Sequence, residues 1–267
     1  ASLGLDYYLP TITALRMVQA AARWLESRSY APIKEVTIGG RRIKVSSKSK
    51  REWAFAKNSI HELALDRDLI ETLRKEGRGG HMLDIGASVG IYSALALQNG
   101  LSVTAIEPDL DCQKSLVATM NLNRQREDQI QIIQAAISDH SGIGELHFDA
   151  NFGKCPSLKR TLGQPLTREV QICALDDLIE SKSIALPTII KIDVEGAEMQ
   201  VLKGGKRYFS SDDAADVFIE IHPDFLPLFD SSSDEVIHAL AEKYGYTCIS
   251  TMHKQGEILM HFSKKTS

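Results

Sequence analysis

The sequence predicts an α/β protein built on an open, mostly parallel sheet. Three observations carry that expectation. His81-Met-Leu-Asp-Ile-Gly-Ala-Ser-Val-Gly90 is an apolar run that ends in an acid and a Gly-x-x-x-Gly turn. After a helical pattern, Val103-Thr-Ala-Ile-Glu107 is a second apolar run that ends in an acid, so the unit reads strand, tight turn, helix, parallel strand. Five segments repeat the strand pattern: Met82–Ile85, Val103–Ile106, Ile130–Ala135, Ile189–Ile192 and Val217–Ile221. All but the Gln-interrupted third are nearly continuous apolar runs, as strands covered on both faces must be.

The remaining elements follow in order. Residues 11–28 read as an amphipathic helix with Ile12, Leu15, Val18, Ala22 and Leu25 on one face. A hairpin follows, Glu35-Val-Thr-Ile38, the turn Gly39-Gly40, and Arg41–Val45. The basic stretch Lys48–Arg51 is a charged edge or an anion-binding patch, with the charged edge favoured because it resists aggregation. A helix is expected from Ile60 to Lys75, broken by Gly77-Arg-Gly-Gly80. That break divides an N-terminal cap, residues 1–79, from a core domain, residues 80–267.

Gly144–Asp149 and Glu169–Cys173 read as strands, and the loop between them, from Asn151 to Arg168, as an active-site lid or a disordered insertion, with the lid expected. Ser232-Ser-Asp-Glu235 fits a capping box and Gly245 a helix stop. Tyr246–Thr251 and Glu257–Phe262 form a closing antiparallel hairpin through Lys254-Gln-Gly256.

Composition narrows the class. The chain has 267 residues, 43% apolar and 25% charged, the profile of a soluble globule. A net charge of −4 argues against dedicated nucleic-acid binding. Cys112, Cys155, Cys173 and Cys248 show no metal spacing and are expected to be reduced. No apolar run reaches membrane-spanning length, and a cytoplasmic location is expected.

The turn after the first core strand is a nucleoside site, and two cofactors compete for it. A dinucleotide needs Gly-x-Gly-x-x-Gly so that backbone approaches a pyrophosphate. Here the middle glycine is absent, and the charge of Asp84 would repel phosphate. S-adenosyl-L-methionine has no phosphate, and its sulfonium and ammonium welcome carboxylates. On this reading Asp84, Gly86, Ala87, Ser88 and Gly90 shape the methionine end. Glu107 grips the ribose diol, Pro108 packs on adenine, and Gln134 with Ala135 meets the adenine edge. Gly86 and Gly90 are expected to let the backbone come close to the ligand.

Several blocks then occur in a fixed order: Asp84-Ile-Gly-Ala-Ser-Val-Gly90, Ile106-Glu-Pro-Asp109, Asn121-Leu-Asn123, Ala136-Ile-Ser-Asp139, Asn151-Phe-Gly153 with Ser157-Leu158, Leu175-Asp-Asp-Leu178, Ile190-Lys-Ile-Asp-Val-Glu-Gly-Ala-Glu198 and Glu220-Ile-His222. From Leu83 to Phe262 the chain resembles the FkbM family of S-adenosylmethionine-dependent methyltransferases, the block ending at Glu198 being the most specific. Ser88 departs from the family's usual Asn and keeps a hydrogen-bonding group. The resemblance implies a Rossmann-like class I methyltransferase fold, with a seven-stranded sheet ending in an antiparallel hairpin. It also implies methyl transfer to oxygen on a sugar, glycolipid or natural-product hydroxyl.

Ligands in open α/β sheets lie beyond the C-terminal strand ends, which singles out Asp193, Glu195, Glu220 and His222. An alcohol nucleophile calls for a general base. Asp193 is read as base, hydroxyl holder or cofactor contact, and His222 as a base titrating near neutrality. The alternatives are helix capping for Asp193 and Glu195, a favourable first-turn charge for Glu198, and a strand-end surface histidine. Lys191 inside its strand needs an acidic partner. A Mg2+ site from Asp193, Glu195 and Glu220 is set aside, so no metal is expected. Competing functions are a nucleic-acid methyltransferase using the basic hairpin and a catalytically silent nucleoside-binding module.

Overall fold

The computed structural model describes residues 32–48, 50–148, 156–160, 166–254 and 256–264. The helical pattern at 11–28, the Asn151-Phe-Gly153 block and Cys155 lie outside them. Gly39 and Gly40, both at positive φ, turn β1 (Ile33–Ile38) back on β2 (Arg41–Ser46) in the expected hairpin. Two helices follow, α1 (Lys50–Leu65) and α2 (Arg67–Glu76). This corrects the single helix expected from Ile60. The Asp66 side chain accepts a hydrogen bond from Leu69 N at 2.9 Å and caps α2, so the chain restarts there. Lys50 and Arg51 of the basic stretch open α1, while Lys48 lies between β2 and that helix.

The alternating region holds β3 (His81–Ile85), α3 (Ile91–Asn99), β4 (Ser102–Ile106), α4 (Leu110–Asn123) and β5 (Ile130–Ile133). Next come β6 (Ala136–Ser138), β7 (Gly142–Phe148), β8 (Leu166–Ala174), α5 (Leu175–Glu180), β9 (Ile189–Ile192), α6 (Glu198–Gly204) and α7 (Lys206–Ser210). The described chain closes with β10 (Asp216–Ile221), α8 (Ser233–His238), β11 (Tyr246–Lys254) and β12 (Glu257–Lys264). The capping box at Ser232 and Glu235 forms as read.

The main sheet has seven strands in the order β11-β12-β10-β9-β3-β4-β5. The five from β10 to β5 are parallel, and β11 and β12 pair antiparallel. Strand order reverses between β3 and β9, the crevice where open α/β sheets bind ligands. Strands β6, β8 and β7 form a separate three-stranded sheet.

Each sheet face buries a core. One face packs Leu83, Ile190, Val217 and Phe262 against Val201, Phe209 and Val236 of the later helices. The other packs Met82, Val103 and Ile189 against α3 and α4, and against Ile38, Ile43 and Val45 of the hairpin. The described part of the proposed cap therefore shares its core with the sheet. Asn123 locks this arrangement: its Oδ1 accepts from Lys44 N at 3.0 Å and its Nδ2 donates to Lys44 O at 2.6 Å. Cys112 is buried, Cys173 half-buried and Cys248 exposed, all three as free thiols. Among the described residues no helix is long and apolar enough to cross a membrane.

Candidate active site

A cavity opens at the C-terminal ends of β3, β4 and β9. Its walls are the turn Gly86–Val89, Ile106 to Pro108, Ala135 to Ile137, Pro156 to Leu158 and Asp193 to Glu195, with Glu52 and Ser59 of α1 at one side. Gly86 sits at φ +83°, where a side chain would place Cβ 1.7 Å from the Asp193 carbonyl oxygen. The close approach expected of this glycine is thus to the protein's own backbone. Gly90, at φ +84°, likewise leaves room for Leu116. Asp193 N donates to Ile85 O at 3.0 Å, which ties the two strand ends across the crevice.

Glu107 lies on the cavity wall with 6% of its surface exposed. Its two oxygens accept from Ser88 N at 2.8 Å and Asp109 N at 2.7 Å. Burial pushes its carboxyl up to about 7, despite the opposing pull of those two N–H groups. The carboxyl is held rigidly, with lone pairs left for a diol. Asp109 in turn caps α4. Ala87, Ser88, Pro108 and Ala135 line the cavity.

Three cofactor-binding candidates, Asp84, Gly90 and Gln134, lie off the cavity wall. Asp84 is buried beneath the turn and is not on the cavity wall; its Oδ2 accepts from Ser93 Oγ at 2.6 Å. It acts from below, as part of a charged row on this sheet face. Gln134 is exposed and off the wall, because β5 ends at Ile133 and the backbone turns before β6.

The charged row continues from Asp84 to its register neighbour Lys191. Lys191 is 4% exposed, sits over the Tyr92 ring and bonds Asp193 Oδ2 at 2.8 Å. Its second partner is Glu220, at 4.0 Å. Burial alone would lower the ammonium pKa, but the charges of Asp193, Glu220 and Asp84 outweigh it and raise the value. The lysine thus has the acidic partner its burial demands.

His222 immediately follows β10, beside Asp193. Its Nδ1 bonds Glu198 Oε1 at 2.7 Å, and Glu198 is fully buried. Its Nε2 faces Asp193 Oδ1 at 3.7 Å, Glu195 Oε2 at 3.8 Å and Glu220 Oε1 at 3.9 Å. Glu195 reaches this position from a left-handed backbone, φ +52°. Burial alone would lower the imidazole pKa; the Glu198 hydrogen bond and the charges of Glu195 and Asp193 outweigh it and raise it to about 10. The expectation of titration near neutrality is corrected accordingly. His222 also stands behind Asp193 and Glu195 rather than on the cavity wall. Burial and the Asp193 charge raise Glu220 to about 8.

Glu198 was readable from sequence only as a first-turn charge. Its role in orienting His222 depends on α6 carrying it back under β10, which no local pattern reports. No sequence pattern marks Tyr92, yet it lines this cavity and a second one. That second cavity, bordered by Lys191 and Glu220, lies between the start of α2 and the closing hairpin.

The sheet order, with a cavity at its strand ends, is of the Rossmann-like type. The Methyltransferase FkbM domain model matches residues 84–248, and the chain belongs to this family. The hexuronic acid methyltransferase AglP of Haloferax volcanii is 28% identical over 167 residues, covering 61% of this chain and 65% of that protein. The match thus spans less than two thirds of that relative's length. Among solved structures, Trm5b of Pyrococcus abyssi aligns over 88% of this chain and 56% of its own, with 14% identity and a TM-score of 0.45. M. capricolum TrmK, in complex with S-adenosyl-homocysteine, aligns over 75% and 69%, with 12% identity and a TM-score of 0.45.

Proposed function

We propose that the chain transfers a methyl group from S-adenosyl-L-methionine to a hydroxyl of a sugar, glycolipid or natural-product acceptor. The observation that carries this reading is Asp193. It leaves β9 at the sheet's reversal point, against the Gly86 turn, and lies on the same cavity wall as Glu107. A nucleoside whose ribose meets Glu107 has its reactive end directed along the Gly86–Ser88 turn towards Asp193. The name of the Haloferax volcanii relative supports a uronic acid as the first acceptor to test.

In the transfer, the acceptor oxygen attacks the methyl carbon in line with the departing sulfur. The O–C bond forms as the S–C bond breaks, and S-adenosylhomocysteine leaves neutral at sulfur. Asp193 and Glu195 meet the acceptor hydroxyl, whose proton passes to a carboxylate oxygen of Asp193, with the His222 imidazolium beside it. Holding the reactants in line supplies on the order of 7–11 kcal/mol. Calorimetry with S-adenosylhomocysteine and NAD, followed by labelled-methyl transfer to uronic acids, natural-product alcohols and RNA in parallel, tests the reading. Heat with S-adenosylhomocysteine alone and label on an alcohol are expected. NAD binding without S-adenosylhomocysteine binding, or label on RNA alone, refutes it.

A further inference from the structure

We propose that Asp193, Glu220 and His222, with Glu195 at the rim, hold one divalent cation of the Mn2+ type. The inference departs from the expectation of a metal-free site. It rests on geometry for the cation's presence, and on the proposed methyl transfer only for the cation's role.

One ligand atom from each of Asp193, Glu220 and His222 lies within 4.8 Å of the others. Three carboxylate oxygens stand 3.7 to 3.9 Å from His222 Nε2, from Asp193, Glu195 and Glu220. These separations are too long for hydrogen bonds. Ligand atoms around a cation about 2.1 Å away sit about 3.0–3.4 Å apart, so shifts of under about 1 Å close the shell.

A second, independent observation points to a ligand at Nε2. His222 Nδ1 is engaged by the fully buried Glu198, whose Oε1 also accepts from Gly196 N at 3.0 Å. A carboxylate that fixes one imidazole nitrogen while the other faces a set of acids is the outer-shell arrangement of metal-binding histidines.

A mixed imidazole and carboxylate shell suits Mn2+ better than Mg2+, which keeps to oxygen ligands. The cation sits where Asp193 and Glu195 reach the first cavity and Glu220 the second. There it can bind the acceptor hydroxyl and ease loss of its proton.

The test uses the whole chain, stripped with EDTA and desalted, and follows free Mn2+ by electron paramagnetic resonance. One Mn2+ per chain is expected. Glu220→Gln, His222→Gln and the orienting variant Glu198→Gln should each weaken binding by about tenfold or more. Asp216→Asn is the control, because its His261 pair lies outside the cluster; it should bind as the wild type does. Thermal unfolding in EDTA identifies variants that are unfolded, and Mn2+ should raise the midpoint of the wild type but not of the folded variants.

No wild-type binding of Mn2+ at millimolar concentration overturns the proposal. So does equal binding by Glu220→Gln and His222→Gln. Full methyl transfer in EDTA overturns the cation's role while leaving the proposed function standing. Mn2+ binding without any S-adenosylhomocysteine binding does the reverse.

Discussion

Glu107 and Asp193 make opposite demands on their surroundings, and each can be tested singly. Glu107 is a buried acid whose pKa is raised from the ordinary 4.5 to about 7. Between those values the folded chain holds a proton that the unfolded chain has lost. Stability therefore falls as pH rises from about 4.5 to 7, and the full cost, about 3 kcal/mol, applies above 7. In Glu107→Gln this cost is absent, so its stability relative to wild type should improve between pH 5 and pH 8 in urea unfolding. An unchanged difference at the two pH values counts against a buried acid. Glu107→Ala should weaken S-adenosylhomocysteine binding by about 1.5–3 kcal/mol, the size of a charged hydrogen bond, as calorimetry on the folded variant reads it. Asp193→Asn should lower turnover by about 10²–10⁴. His222→Ala should lower turnover at least about tenfold and leave cofactor affinity unchanged, since His222 lines no cavity wall. Wild-type turnover in His222→Ala makes it a bystander.

At the scale of elements, the sequence was most legible where one strand and one turn carry the meaning. The apolar run Ile189–Ile192 is strand β9 to the residue, and the Gly86 turn and both hairpins stand where the pattern puts them. It was least legible where a partner distant in sequence decides. Gly86 looks like room for a ligand, yet its missing side chain makes room for the Asp193 carbonyl, more than a hundred residues later. Gln134 looks like a strand terminus facing the site, yet the β5–β6 turn leaves it in solvent. Asp66 reads as one more polar residue in a helix until its side chain is seen to start a new one. Gly86→Ala combines a left-handed backbone with a collision against backbone, so it should cost well over the ~1 kcal/mol of a strained alanine alone. The expected result is loss of soluble, cooperatively unfolding protein. Asp66→Ala should cost only about 1 kcal/mol, a lost cap, and leave cofactor binding intact. A wild-type melting curve for Gly86→Ala would show that β3 and β9 are not packed across that turn.

For the whole molecule, the decisive point is where the core ends. The sequence break at Gly77–Gly80 suggests a cap followed by a self-sufficient domain. The structure gives the hairpin another task. Ile38, Ile43 and Val45 are at most 1% exposed and pack with Leu95, Leu97 and Val103. Asn123 and Thr119 of α4 bond the β2 backbone. The periodic pattern of β1 and β2 showed two strands, but not that the sheet needs them to cover its second face. Burying those three side chains is worth about 1.5–3 kcal/mol each, and their sum rivals the ~5–15 kcal/mol stability of a whole domain. A chain beginning at Gly80 should therefore bind S-adenosylhomocysteine poorly and expose apolar surface, seen as dye binding and loss of a cooperative melt. A chain that keeps residues 32–79 should unfold in one transition, with both sheet faces lost together. If the shorter chain instead melts cooperatively and binds the ligand at full affinity, the boundary at residue 80 is a true domain border and the hairpin a dispensable addition.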